Sequence, residues 1–432
     1  MNTIDHIKER FQQFQAKNGS SKLTALEQKA FNTFNTLGIP TVRNEEWKYT
    51  RISGVFNKDY AFTPCSLTAA DLDPIRLPGY EAANELFLVN GVFNPALSVI
   101  RSKELVVMSL EEAAHSEHQE IVSKHLGNSS KYVKDGILAL NTAFAQEGVF
   151  IHVKRGKFVE LPVYIYHVTD ARTVNVFAQP RTFAHIGENA QVLFAETYTT
   201  IGSAESFTNQ VAEFIVEKDA NVEHYKIQND AAHSNQVSTT HFRQIGKSYI
   251  HTVTISLDGG IVRNNLSIAL EAEYAEANLH GLYFLKGQSH VDNHTVVDHV
   301  MPNCQSNELY KGVVDDSSNA VFNGKIFVQP HAQKTNAYQS NKNILLSDNV
   351  SVNTKPQLEI FADDVKCSHG CTVGQLDEEG LFYLQSRGID EKTAKSLLVH
   401  AFAVDVLDYI KSEPLRTYVD QLISERLEFE NA

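Results

Sequence analysis

The chain has little of what would assign it quickly to a common class. Its 432 residues include only four cysteines and one tryptophan. No apolar run approaches the ~20 residues that a membrane span needs, and the first residues lack the charged-then-apolar pattern of a secretory signal. These absences indicate a cytoplasmic protein with no membrane association. In a reducing compartment, cysteines are better candidates for ligands or buried thiols than for disulfides, and Cys65 and Cys304 are expected to be buried thiols.

Charge and short motifs exclude further classes. A formal net charge of −14 opposes the phosphate backbone of nucleic acids, so nucleic acid is not an expected partner. Gly246-Lys247-Ser248 is the nearest approach to a phosphate-binding loop, but His241 stands where its first glycine would be. Gly-x-Ser-x-Gly, His-Glu-x-x-His and Gly-x-Gly-x-x-Gly patterns are all missing. The chain is therefore not expected to be an ATPase of that type.

Apolar spacing predicts helices at both ends of the chain and strands between them. The first 37 residues read as two amphipathic helices that end at Gly38, and Trp47 is expected to anchor a core. From about residue 135 to Gly374, short runs of β-branched and aromatic residues alternate with turn residues. Further helices are predicted after Asp377 and Asp390, which can act as N-caps. The second is expected to bury one apolar face, formed by Ala394, Leu397, Leu398, Ala401, Val404 and Leu407.

A short phrase recurs within the β region. Polar residues precede a small residue, one intervening residue and an apolar one, as in Gly187–Val192 and Lys218–Val222. Ala190 and Ala220 stand 30 residues apart, as do Ala320 and Val350. Such a period favours a parallel β-helix, with an antiparallel sandwich as the alternative.

The most informative motif is Cys367-Ser368-His369-Gly370-Cys371. Side chains alternate across a strand, so Cys367, His369 and Cys371 are expected to share one face, with Cys367 pointing inward. Thiolate and imidazole suit iron, zinc or an iron-sulfur cluster, although a buried thiol beside a hydrogen-bonded imidazole explains the motif equally well. Three ligands leave a tetrahedral site incomplete, so a fourth has to come from elsewhere.

A second histidine-rich stretch is a weaker candidate for a metal site. It contains His290, His294 and His299 with two aspartates. In a strand, His290 and His294 lie on one face and His299 lies on the other. We therefore expect a polar ladder rather than a metal site.

The stretch from Val365 to Asp377, followed by Leu381–Ile389, resembles the carboxy-terminal signature of the SufB/SufD family. The early block Glu46-Trp47-Lys48-Tyr49-Thr50 is similar to the SufD branch of that family, and the chain lacks the extra cysteines of the SufB branch. The resemblance implies a mainly β protein: a right-handed parallel β-helix flanked by N-terminal and C-terminal α-helical domains. The expected divisions are 1–105, 106–374 and 375–432.

The resemblance also implies a role. Members of the SufD branch are non-catalytic subunits of the cytoplasmic complex that assembles iron-sulfur clusters, where they pair with SufB and bind the SufC ATPase. By this resemblance His369, with Cys367 beside it, would face a SufB cysteine where a transient cluster forms. Cys371 departs from the family pattern, in which alanine is common, so it is expected to be a packed residue or a third ligand. The ATPase would dock on the carboxy-terminal helices through Leu381, Phe382, Tyr383, Arg387, Gly388, Leu398 and Phe402.

Two other interpretations stay open at this stage. The first is a stand-alone β-helix metalloenzyme that acts on an extended polymer. The second is a structural adaptor in which the Cys-His-Cys motif is only packing. No tightly bound cofactor is expected in the isolated chain, and a homodimer of the isolated chain stays open.

Overall fold

The computed structural model describes residues 3–18, 21–61 and 67–427. Two helices begin the chain, as the apolar spacing predicts: α1 spans Thr3–Asn18 and α2 spans Thr24–Leu37. Gly38 ends α2 with a φ of 65°, a conformation that glycine adopts without steric penalty. Part of the predicted turn between α1 and α2, and Cys65, lie outside the described residues.

Short helices and the first strands follow. The helices are α3 (Ala69–Leu72), α4 (Leu110–His115), α5 (Gln119–His125) and α6 (Gly136–Thr142), and the strands are β1 (Asn84–Val89), β2 (Val92–Phe93) and β3 (Leu105–Ser109). The prediction that strands begin near residue 135 is wrong, because β1 and β3 already belong to the main sheets. β1 is buried along its whole length, as the later strands Arg181–Ile186 and Ser206–Val216 are.

The remaining strands vary in length up to Ile186 and then become regular, with 9 to 11 residues each from Gln191 onward. They are β4 (Val149–Val153), β5 (Val163–Asp170), β6 (Val176–Ala178), β7 (Arg181–Ile186), β8 (Gln191–Ile201), β9 (Ser206–Val216), β10 (Asn221–Asn229), β11 (Ser234–Gln244), β12 (Tyr249–Asp258), β13 (Ile261–Leu270), β14 (Glu276–Leu285), β15 (His290–His299), β16 (Gln305–Val314), β17 (Asn319–Val328), β18 (Asn336–Leu345), β19 (Ser351–Ile360) and β20 (Lys366–Gly374).

These strands form two facing sheets. Sheet 1 has the spatial order β2, β1, β5, β8, β10, β12, β14, β16, β18, β20, and sheet 2 has the order β19, β17, β15, β13, β11, β9, β7, β4, β3, with β6 also on β9. From β7 onward, consecutive strands alternate between the sheets, and neighbours within each sheet are parallel. The predicted parallel β-helix is confirmed, and the antiparallel sandwich is wrong.

The recurring phrase forms corners of the solenoid. Asn189 and Asp219 have φ values of 55° and 57°, a region that Asn and Asp enter more readily than most residues. Ala190 and Ala220 follow them, buried at the corner. Val192 and Val222 then pair across β8 and β10 and belong to the apolar core of the lumen between the two sheets. The 30-residue repeat therefore corresponds to one turn of the solenoid.

Helical layers cover the outer faces of both sheets. On sheet 2, Trp47 packs with Phe34, Phe144 and Phe207, and its Nε1 donates to Asp135 Oδ2 at 3.1 Å. On sheet 1, the carboxy-terminal helices α7 (Glu378–Ser386), α8 (Glu391–Leu407) and α9 (Glu413–Arg426) follow the last strand. None of the helices in the described ranges is long and apolar enough to cross a membrane.

The carboxy-terminal helices have the predicted caps but not the predicted packing. Asp377 and Asp390 accept hydrogen bonds from the backbone N–H groups of Glu379 and Thr393. The predicted apolar face of α8 is only partly correct: Ala394 and Leu407 are buried, but Leu397 and Ala401 are exposed. Val399, Ala403 and Val406, which were not predicted, join Leu407 in the apolar cluster on sheet 1. Apolar residues surround most of α8, so their spacing does not specify one face.

Candidate functional site

The last turn of the solenoid leaves two strand edges unpaired within the described residues. In sheet 1, β20 pairs with β18 on one side only. In sheet 2, β19 pairs with β17 on one side only. An unpaired edge offers backbone N–H and C=O groups to another strand. The Cys-His-Cys motif lies on one of these two edges.

The three motif side chains share the lumen-facing side of β20. Cys367 is in register with buried Ala337 of β18 and packs against the apolar core of the lumen, in agreement with its predicted inward direction. His369 and Cys371 occupy the next two positions of the same face. Both are exposed because no further turn covers them in the part of the chain that the structure describes.

These side chains do not close a metal site by themselves. Among the described residues, no group of three or more His, Cys, Asp or Glu side chains is arranged to hold a metal ion. Burial also raises the pKa of the Cys367 thiol, which opposes the thiolate form that binds metal. Cys371 and His369 are open to solvent. The motif therefore offers an exposed, incomplete row of donors.

Beneath His369, the lumen contains two buried polar side chains. Gln339 of β18 is in register with His369, and Glu308 of β16 is in register with Gln339. Gln339 Nε2 donates to Glu308 Oε2 at 2.7 Å. Burial raises the pKa of Glu308 to about 7, although hydrogen bonds from Thr295 and Gln339 act in the opposite direction.

Sequence reasoning missed a second polar cluster deeper in the lumen. His224 Nε2 lies 3.0 Å from Glu196 Oε1, and His167 Nε2 lies 3.5 Å from Glu196 Oε2. Burial opposes the ionisation of Glu196, but the two neighbouring histidines and Lys226 outweigh it and hold its pKa well below the ordinary value. Lys226 donates to Ser238 Oγ at 3.1 Å. Alternation could have revealed the cluster, because charged residues occupy the inward positions that follow Val192 and Val222.

The second histidine-rich stretch is a polar ladder, as predicted. His290 Nε2 lies 2.8 Å from Thr50 Oγ1 on the outer side of sheet 2. On the same side, His294 Nε2 lies 2.9 Å from Asp292 Oδ1. His299 points into the lumen, where its Nε2 lies 2.9 Å from Ser306 Oγ. The backbone of β15 therefore separates His299 from His290 and His294, and each histidine has a local partner.

The residues expected to dock a partner differ in exposure. On α7, Phe382 and Tyr383 are 73% and 56% exposed, and Arg387 lies over the Tyr383 ring at 5.3 Å. Gly388 follows with a φ of 88°. Leu381 and Leu398 are half-buried. Phe402 is also half-buried, and it is already engaged, with Lys311 Nζ 4.2 Å from its ring centre. The exposed apolar surface is therefore concentrated on α7.

The chain matches two family models. Residues 3–165 match the SufBD protein N-terminal region, and residues 167–402 match the SufBD core domain of SUF system FeS cluster assembly. It is 32% identical over 417 residues to an iron-sulfur cluster assembly SufBD family protein of Synechocystis, covering 94% of this chain and 91% of that protein. It is 30% identical over 395 residues to the iron-sulfur cluster assembly protein SufD of Escherichia coli, covering 90% of each. The chain therefore belongs to the SufB/SufD family of iron-sulfur cluster assembly proteins and is a homologue of SufD.

Proposed function

We propose that this chain is a non-catalytic subunit of a cytoplasmic Suf scaffold complex, in which it pairs with a SufB-like subunit at the last turn of its solenoid. The observation that carries the proposal is the incomplete donor row of His369, Cys367 and Cys371 on an unpaired strand edge. A strand of the partner can continue either sheet through backbone hydrogen bonds. A cysteine of the partner supplies the ligand that this chain lacks.

The iron-sulfur cluster is cargo at this interface. His369 is its main ligand from this chain because its imidazole is exposed at the open edge and an imidazole nitrogen is a common metal ligand. Cys367 is a secondary ligand, since its half-buried thiol has a raised pKa that a bound metal would have to lower. Cys371 is exposed on the same face and is the third candidate ligand of the set.

Residues 375–432 form the docking unit for a SufC-like ATPase. Phe382 and Tyr383 are large apolar side chains that the fold leaves in solvent. Exposed aromatic residues next to an arginine are typical of the centre of a protein interface. The neighbouring α8 packs on sheet 1. ATP-driven movement of the docked subunit would therefore be transmitted to the solenoid through α8.

The test is co-expression of this chain with SufB-like and SufC-like subunits. We expect the three subunits to co-purify. We also expect His369→Ala to lower the iron and sulfide content of the complex without dissociating its subunits. Ser368→Ala is the matched control, because Ser368 is the exposed neighbour on the opposite face of β20. Failure to co-purify, or an equal cluster content in the His369→Ala and wild-type complexes, would contradict the proposal. Turnover of a polymer by the purified chain alone would favour a metalloenzyme instead.

A further inference from the structure

Three successive turns of sheet 1 place polar side chains in one lumen column that ends at the open edge. Glu308, Gln339 and His369 occupy the same register position on β16, β18 and β20. Glu308 and Gln339 are only 4% and 3% exposed, whereas His369 is exposed. The column therefore connects the closed lumen with the imidazole at its end.

The side-chain amide of Gln339 has one partner that fixes its orientation. Its Nε2 donates to Glu308 Oε2 at 2.7 Å. At pH 8, above the raised pKa of about 7, the Glu308 carboxylate is mostly ionised and only accepts hydrogen bonds, so the NH₂ group faces Glu308 and the oxygen faces elsewhere. The opposite wall is Gly324 of β17, where a Cβ atom would lie 2.3 Å from Gln339 Nε2. The amide thus fills a slot that exists only because residue 324 has no side chain.

The oxygen of this amide has no partner in the described residues. Gln339 Oε1 is buried and accepts no hydrogen bond. A buried acceptor without a donor is unfavourable, and most such groups in proteins are paired. The next side chain in the column is His369, whose ring N–H is a hydrogen-bond donor.

We propose that Gln339 is a positioning residue for His369: its Oε1 accepts a hydrogen bond from one ring N–H and thereby selects the tautomer. The other ring nitrogen then carries the lone pair and is turned away from the lumen, toward the open edge. A histidine ligand in a metal site commonly donates its second ring nitrogen to such an acceptor. The hydrogen bond between Gln339 and His369 is expected in the isolated chain, but its role in cluster assembly rests on the proposed function.

The tautomer can be read directly by ¹⁵N NMR of the histidine-labelled full-length chain at pH 8, with the His369 signals assigned by their loss in His369→Ala. In the wild type we expect the two ring nitrogens of His369 to have well-separated shifts, as in a single neutral tautomer. In Gln339→Met, which has a similar volume but no acceptor, we expect the two shifts to move toward each other.

A second variant covers the case in which Gln339→Met disturbs the last turns. Gly324→Ala leaves Gln339 in place but pushes its amide from the opposite wall. We expect it to change the His369 shifts in the same direction, while signals of distant histidines such as His152 stay unchanged. Identical His369 shifts in the wild type, Gln339→Met and Gly324→Ala would overturn the proposal.

The co-expressed complex separates failure of this inference from failure of the proposed function. If both hold, Gln339→Met lowers the cluster content about 10-fold or more, as is typical when a partner of a metal-bound histidine is removed, and all subunits still co-purify. If only the proposed function fails, the tautomer still changes in the isolated chain. If only this inference fails, His369→Ala lowers the cluster content and Gln339→Met changes neither the tautomer nor the cluster content.

Discussion

Replacing Glu308 by glutamine tests whether the lumen below the open edge is as dry as its packing indicates. Glu308 is 4% exposed, and burial raises its pKa from an ordinary value of 4.5 to about 7. Glutamine has the same shape and can still accept the hydrogen bond that Gln339 Nε2 donates. The substitution therefore removes the titration and leaves the packing nearly unchanged.

The sign follows from comparing the folded and unfolded states. The folded state holds the proton of Glu308 more tightly, so the stability from the neutral form is complete below pH 4.5 and is lost as the pH rises through about 7. At about 1.36 kcal/mol for each pKa unit, the rise from 4.5 to about 7 corresponds to about 3 kcal/mol. Relative to the wild type, Glu308→Gln should therefore gain about 3 kcal/mol of unfolding free energy between pH 4.5 and pH 8.5.

The assay is denaturant unfolding of both proteins at several pH values, followed by the circular dichroism of the β-sheet. Glu160→Gln is the control, because Glu160 is exposed and should give a stability difference that hardly varies with pH. Glu27 also has a pKa raised to about 7 by burial, but it is present in both proteins and its contribution cancels. If the difference in unfolding free energy between Glu308→Gln and the wild type stays constant from pH 4.5 to 8.5, the reasoning is refuted.

Two further predictions test the lumen and the docking surface. In Gly281→Ala, the added Cβ would lie 2.2 Å from the Tyr310 ring inside the closed lumen. We therefore expect the free energy of unfolding, measured with denaturant, to fall by about 1–3 kcal/mol. Gly54→Ala is the control, because Gly54 has open space around it and its replacement should change little; equal effects of the two substitutions would contradict the packing. Phe382→Ser should abolish co-purification of the ATPase subunit without changing the midpoint of thermal unfolding. Phe158→Ser, at a site 60% exposed, is the control and should leave both co-purification and the thermal midpoint unchanged. Retention of the ATPase by Phe382→Ser would contradict the docking surface.

The solenoid was predictable because two features of the sequence repeat with each turn. Polar residues at positive φ, such as Asn189 and Asp219, mark the corners, and alternation after them places Val192 and Val222 inward. Each turn contacts mainly its neighbours, so a local pattern is enough to specify the architecture. The first strand was missed because β1 lies between short helices, before the repeat of the solenoid begins.

Side-chain packing was less predictable where several faces of an element are equally apolar. On α8, the choice between Leu397 and Val399 as the buried residue depends on how the helix lies on sheet 1, which its own sequence does not determine. The polar lumen was missed for a different reason. His224 and Lys226 are polar types that usually face solvent, so the alternation that places them inward after Val222 was not followed into the lumen.

The two ends of the solenoid are finished differently, and this contrast bears on how the chain is used. At the amino-terminal end, β2 turns back on β1 and β3 turns back on β4, each in antiparallel pairing. At the other end, β19 and β20 stop with one edge unpaired among the described residues. A solenoid needs a cap to keep its last edge from pairing with other chains. Capping at one end and not at the other is therefore the pattern expected if the uncapped end is reserved for a specific partner, which is where the structure places His369.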